Sequence, residues 1–183
     1  MKLNLGCGGR LHDKMIYYGD VRVDIEHFPN VTDVMDIHQL PEEWTEKFSE
    51  VKIWTTLEHV DTPIQVLREA TRVLKPDGTL EIIVPNVHYW RRIYRNYKCR
   101  LDILNKADPA KLPDHKQAWD LIELNNFTKQ VPGLIIEKVD YLDWQPEWKR
   151  QTGALIGSLL DHFFPPIFTH IEVRYLLRKE SPR

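Results

Sequence analysis

The chain has 183 residues, the size of one ordinary domain. Hydrophobic residues make up 42% and charged residues 28%, which excludes collagen-like, low-complexity and globally disordered classes. A formal net charge of -2 gives no global case for a nucleic-acid binder.

Two cysteines, Cys7 and Cys99, are too few for a disulfide framework or a zinc cluster. No metal is expected, and a reducing compartment is the plain reading. The N-terminus runs from Lys2-Leu3-Asn4-Leu5 straight into glycines, without the basic and apolar regions of a secretory signal. No apolar run approaches the ~20 residues that span a bilayer. The expectation is a soluble, cytoplasmic protein with no membrane span.

Along the chain, short apolar runs alternate with turns and helix patterns over the first 87 residues. Strands are expected at Lys2–Leu5, Val21–Ile25, Thr32–Ile37, Val51–Thr55 and Thr79–Pro85. Only Glu26–Val31 lie between the second and third strands, so that crossover should be a loop without a helix. A short helix is expected over Glu42–Phe48, opened by Pro41. A longer one follows Thr62, with Pro63 at its first position and Gln65 completing a T-x-x-Q capping box. Its apolar stripe is Ile64, Leu67, Thr71 and Leu74, widened by Val66, Ala70 and Val73. Lys75 should sit in its last turn, before Pro76-Asp77-Gly78 turns the chain.

The back half is less regular. Helices are expected at Tyr89–Leu104, Trp119–Phe127 and Gly153–Phe164, with Lys106–His115 irregular because of Pro109 and Pro113. Strands are expected at Leu134–Trp144 and Ile171–Leu177. Strands alternating with helices define an α/β domain with a parallel sheet, closed here by an antiparallel end. The whole chain, 1–183, reads as one domain with a lid-like insertion at about 88–130.

Leu5-Gly6-Cys7-Gly8-Gly9 places glycines directly after the first strand, where the backbone can turn sharply and approach a ligand. Leu11 stands where a dinucleotide fingerprint needs Gly or Ala, and the P-loop pattern is absent. Asp24 and Asp36 close the second and third strands, on the sheet edge where doubly wound folds bind ligands. Singly, each is as well explained as a solvated turn carboxylate. Together they mark one edge.

At these residues the sequence resembles the class I S-adenosylmethionine-dependent methyltransferases, especially the small type 11 group. The carriers, in order, are Asn4–Gly9, Val23-Asp24-Ile25, Asp36-Ile37, Thr56-Leu57-Glu58-His59-Val60 and Arg72–Leu80. They span roughly residues 2–87. The resemblance implies a Rossmann-like, doubly wound seven-strand sheet of order 3-2-1-4-5-7-6 with strand 7 antiparallel. It implies S-adenosylmethionine as cofactor. Gly6 and Gly8 would let the loop pass close to the methionine part, with Cys7 offering backbone groups. Asp24 would hold the ribose hydroxyls, Asp36 the adenine amino group, and the Ile37 amide the ring. Ile25 would pack on the adenine face. Thr55 and Leu57 would contact the methionine end, and Arg10 could pair with its carboxylate. The family usually has an acidic residue where Asn4 stands. It also has longer first and second crossovers.

Methyl transfer to a hydroxyl needs a base, and His59, His88 and His115 are the candidates in that order. The expected acceptor is an oxygen on a small molecule or glycan. The stretch 91–100 holds five basic residues and two tyrosines, which leaves an RNA methyltransferase as an alternative. The absence of [DN]-P-P-[YF] after the fourth strand speaks against adenine-N6 or cytosine-N4 chemistry. A non-catalytic methyltransferase-like scaffold is the third reading. The apolar segment Leu155–Phe168 fits core packing, an acceptor pocket, a dimer face or lipid contact. The tryptophans of the back half, Trp90, Trp119, Trp144 and Trp148, fit core packing or a lid over a sugar or planar acceptor.

Overall fold

The computed structural model describes residues 1–8, 16–86, 119, 121–142 and 172–181. Among these, seven strands form one sheet: β1 (Lys2–Leu5), β2 (Val21–Asp24), β3 (Asp33–Val34), β4 (Phe48–Trp54), β5 (Leu74–Pro85), β6 (Leu134–Leu142) and β7 (Glu172–Lys179). Two α-helices are described, α1 (Pro63–Val73) and α2 (Leu121–Lys129). The strand order is β3-β2-β1-β4-β5-β7-β6, as expected from the resemblance. Strands β1 to β5 pair in parallel, and β7 runs antiparallel to both β5 and β6.

The core lies between α1 and one sheet face. Leu3, Leu5, Val51, Ile53, Leu80 and Ile82 are completely buried there against Val66, Leu67, Ala70 and Val73 of the helix. On the other face of β4, Lys52 carries its Nζ 4.0 Å from the Tyr18 ring centroid and 4.6 Å from that of Trp54. Glu50 and Glu81 flank the same ammonium at 3.3 and 3.5 Å, so the charge is paired rather than stranded.

Several local expectations are corrected. Residues Glu42–Trp44 form a 3-10 turn, and Phe48 opens β4 instead of closing a helix. Trp44 and Phe48 are four residues apart, the spacing of one helical face. They do touch edge to face, with centroids 5.4 Å apart, but Glu46 at φ 53° breaks any helix between them. The backbone N–H groups of Glu46 and Lys47 instead donate to the last-turn carbonyls of Arg72 and Val73, satisfying the end of α1.

Helix α1 starts at Pro63 as expected, but Thr62 makes no side-chain capping bond. Gln65 turns away and donates to the carbonyl of His38 at 3.3 Å. Lys75 is not in the helix, because a residue before proline avoids the helical region. Leu74 is already extended, and β5 begins there. Residues 75–78 become an irregularity within the β4–β5 pairing, where the register shifts between Phe48 and Glu50. Asp77, at φ 60°, is held there by Arg178 at 3.1 Å.

The other strand and helix bounds shift by a few residues. Strand β3 keeps only Asp33–Val34 of the expected Thr32–Ile37, and β4 starts three residues before the expected Val51. Helix α2 begins at Leu121, while Trp119 sits beside Asn86 in an isolated parallel bridge. The β2–β3 crossover contains no helix, as its length required. The expected helices Tyr89–Leu104 and Gly153–Phe164, the irregular Lys106–His115, most of the insertion at 88–130, the basic stretch 91–100 and the apolar segment Leu155–Phe168 lie outside the described residues. No described helix is long and apolar enough to cross a membrane.

Candidate functional site

Parallel pairing brings the C-terminal ends of β1 to β5 to one edge of the sheet. The chain leaves β1 toward β2 on one side and later enters β4 on the other. That reversal opens a crevice beside the end of β1.

Gly6 stands at this point with φ +72°. A Cβ there would lie 2.3 Å from the Cγ2 and Oγ1 atoms of Thr56, which follows β4. Thr56 therefore fills the space that Gly6 leaves open, and its hydroxyl donates to the carbonyl of Trp54 at 2.9 Å. The substitution Gly6→Ala combines a disfavoured φ with an overlap, and should cost roughly 2 kcal/mol or more of stability. Thermal unfolding of the variant checks this, and an unchanged midpoint would contradict the packing.

Gly8 is as tightly enclosed. A Cβ there would lie 2.3 Å from the Phe28 ring and 2.7 Å from Asp24 Oδ2. The Gly8 N–H donates to that same oxygen at 2.7 Å, and the Glu26 N–H donates to Oδ1 at 3.1 Å. The carboxylate of Asp24 is thus oriented by two backbone donors. Each oxygen keeps acceptor capacity for a ligand hydroxyl.

Cys7 departs from expectation. Its N–H donates to Val23 O at 3.2 Å, and its carbonyl accepts from Asn30 Nδ2 at 2.7 Å, so both backbone groups are engaged within the protein. The side chain is completely buried. Burial, then the nearby Asp24 carboxylate, pushes the thiol up to about 11. At neutral pH Cys7 should therefore resist alkylation in the native protein and react only on unfolding. Mass mapping after iodoacetamide treatment checks this, and rapid native labelling of Cys7 would contradict it.

On the β3 side, Asp36 Oδ1 accepts from the His38 N–H at 2.9 Å and lies 2.6 Å from His38 Nδ1. The backbone N–H of His38, and then its ring, hold the carboxyl below the usual carboxylate range. Ile37 is buried, while Ile25, one residue after Asp24, is 70% exposed and presents an open apolar surface.

Past β4, Thr55 has φ 47°, a genuine outlier for a β-branched residue. Its N–H donates to Ile83 O at 2.8 Å. Its Oγ1 is buried and has no hydrogen-bond partner among the described residues. Strain and an orphaned hydroxyl at a strand end both cost stability, so packing alone does not account for this position. Leu57 is completely buried in the core, so its side chain offers no surface to a ligand. His59 is half-exposed, with Nε2 4.0 Å from Oε1 of the buried Glu58. Asn4 is buried within β1. Arg10, His88, His115, Trp90, Trp144 and Trp148 lie outside the described residues.

Phe28 and Asn30 went unmarked in the sequence, and Thr56 was marked only within a motif, without a role. Each acts on the glycine loop across the fold. Thr56 alone carried a signal, as the first residue of the Thr56–Val60 motif.

The glycine positions, the two aligned carboxylates, the open Ile25 face and the orphaned Thr55 hydroxyl all fit S-adenosylmethionine. Residues 3–82 match the model of a family described as a methyltransferase domain. No curated protein sequence matches. Among solved structures, a SAM-dependent methyltransferase from Archaeoglobus fulgidus has TM-score 0.62 at 14% identity, covering 97% of this chain and 85% of that one. One from Methanosarcina mazei has TM-score 0.61 at 14% identity, covering 99% and 92%. One from Thermotoga maritima has TM-score 0.63 at 16% identity, covering 98% and 82%. At such identities the structural likeness establishes the fold. The family match covers residues 3–82 of the 183, the part of the chain that carries β1 to β4, α1 and most of β5.

Proposed function

We propose that this protein is an S-adenosylmethionine-dependent methyltransferase that methylates an oxygen of a small molecule or glycan, using the described sheet edge as its cofactor site. The observation that carries the site assignment is the 2.7 Å bond from the Gly8 N–H to Asp24, which ties the glycine loop to the acidic end of β2. In this reading Asp24 accepts from the ribose hydroxyls. Asp36 accepts from the adenine amino group through the oxygen that His38 leaves open, and the Ile37 amide donates to the ring. Ile25 covers the adenine face. Gly6 and Gly8 admit the methionine part, and the Thr55 hydroxyl meets its polar end. Cys7 acts through loop shape, since its backbone groups are engaged elsewhere, and Leu57 contributes backbone only.

The chemistry the cofactor supplies is a methyl group on a sulfonium, open to in-line displacement. The protein's share is alignment, which can supply up to ~7–11 kcal/mol of barrier reduction in the best cases. An oxygen acceptor must also lose a proton. His59 is the proposed base, supported by its exposure on the ligand edge, with its Nε2 4.0 Å from Oε1 of Glu58. His88 is the second candidate. The setting is proposed as cytoplasmic, in keeping with a chain that holds only two cysteines.

The test is transfer of labelled methyl from S-adenosylmethionine to panels of hydroxylated small molecules, oligosaccharides, amines and tRNA. Label in methyl ethers or esters supports the proposal. Label confined to amines or RNA contradicts it.

A further inference from the structure

We propose that Asn30 is a positioning residue of the cofactor site, holding the glycine loop in the shape that presents Gly8 to Asp24. This rests on the cofactor reading above. The β2–β3 crossover is too short for a helix, and it does not simply pass by the site. It turns inward and buries Asn30, which is 5% exposed.

The Asn30 amide nitrogen donates twice, to Cys7 O at 2.7 Å and to Ile16 O at 3.1 Å. Both partners are carbonyl oxygens, which accept only, so the orientation of the amide is fixed by chemistry. One side chain thereby ties together the two chain segments that flank residues 9–15. The brace is itself held. Arg22 donates from Nε to Asn30 O at 2.5 Å and from Nη1 to Gly19 O at 2.8 Å. Two residues earlier, Phe28 lies against Gly8 on the same loop. The Cys7 peptide is thus fixed on its carbonyl side by Asn30. The next backbone group along is the Gly8 N–H, which bonds Asp24 at 2.7 Å.

Loss of the amide would leave two carbonyls unsatisfied and release the Cys7 peptide to rotate. Asn30→Asp keeps the shape but replaces the donor with an acceptor facing two carbonyl oxygens. Asn30 touches the loop backbone and acts on the ligand through Gly8 and Asp24.

The experiment uses the full chain, with S-adenosylhomocysteine as the probe. Wild type, Asn30→Asp, Asn30→Ala and the core variant Trp44→Phe are compared by calorimetry and by the ¹H–¹⁵N resonance of the Gly8 amide. The expected result is binding weakened about tenfold or more in both Asn30 variants, with the Gly8 amide proton displaced. Trp44→Phe should lower the unfolding temperature and leave both readouts in place. If Asn30→Ala does not fold, the near-isosteric Asn30→Asp decides alone. Affinity within twofold of wild type and an unmoved Gly8 signal would overturn the inference while leaving the cofactor reading intact. Failure of wild type itself to bind would remove the cofactor reading, and the inference with it.

Discussion

Replacing Asp24 with alanine is expected to weaken S-adenosylmethionine binding by ~1.5–3 kcal/mol, roughly 10- to 150-fold. That is the range for hydrogen bonds to a charged group. Two consequences of the substitution add up. The ligand hydroxyls lose a charged acceptor. The Gly8 and Glu26 N–H groups lose the carboxylate that now orients them, at 2.7 and 3.1 Å. Asp24→Asn should fall between alanine and wild type, because one amide oxygen still accepts. Circular dichroism should show the variants folded, since Asp24 lies at the end of β2 and outside the buried core. Calorimetric titration reads the effect. Unchanged affinity in Asp24→Ala would remove the residue from the ribose role.

Replacing His59 with alanine is expected to cut turnover of an oxygen acceptor by ~10²–10⁴, the usual contribution of a general base. Cofactor affinity should stay near wild type, because His59 lies beyond Thr55 and Thr56 on the loop after β4. The local fold should also hold. The His59 N–H donates to Thr56 O at 2.9 Å, and alanine keeps that backbone bond. The side chain is half-exposed, so little packing is lost. Wild-type turnover in His59→Ala would return His59 to a structural role at the start of the loop and move the base to His88. A full loss of S-adenosylmethionine binding would instead place His59 in the cofactor site.

The succession of strands was legible because it depends on local signals, while the sheet order came from the family resemblance. Glycines follow β1 where the chain must turn tightly. Carboxylates follow β2 and β3. Pro63 marks the start of α1. What was not legible depends on contacts between distant segments. Asn30 reads as an ordinary turn residue after Pro29, and only the folded chain shows it donating 23 residues back to Cys7. Phe28 reads as a loop aromatic until it is seen against Gly8. Cys7 seemed free to offer its backbone groups because its partners, Val23 and Asn30, are remote in sequence. Leu57 sits in a motif associated with the ligand edge, yet its side chain turns into the core.

Secondary structure failed for the same reason at two places. Trp44 and Phe48 have helical spacing, but Phe48 pairs with Leu74 in the sheet. The Thr62–Gln65 capping box matches in sequence, but Gln65 finds the carbonyl of His38 instead. The charged face of β4 shows the converse. Glu50 and Lys52 alternate with apolar residues as exposed positions would, yet Lys52 is largely covered, with Tyr18 and Trp54 over its ammonium.

The most direct test is calorimetric titration of the unmodified protein with S-adenosylmethionine and S-adenosylhomocysteine, each alone. Micromolar binding of both, about -8 kcal/mol, is expected from the loop, the two carboxylates and Thr55 acting together. Absence of heat with either ligand at millimolar concentration would contradict the assignment of this sheet edge as a working cofactor site.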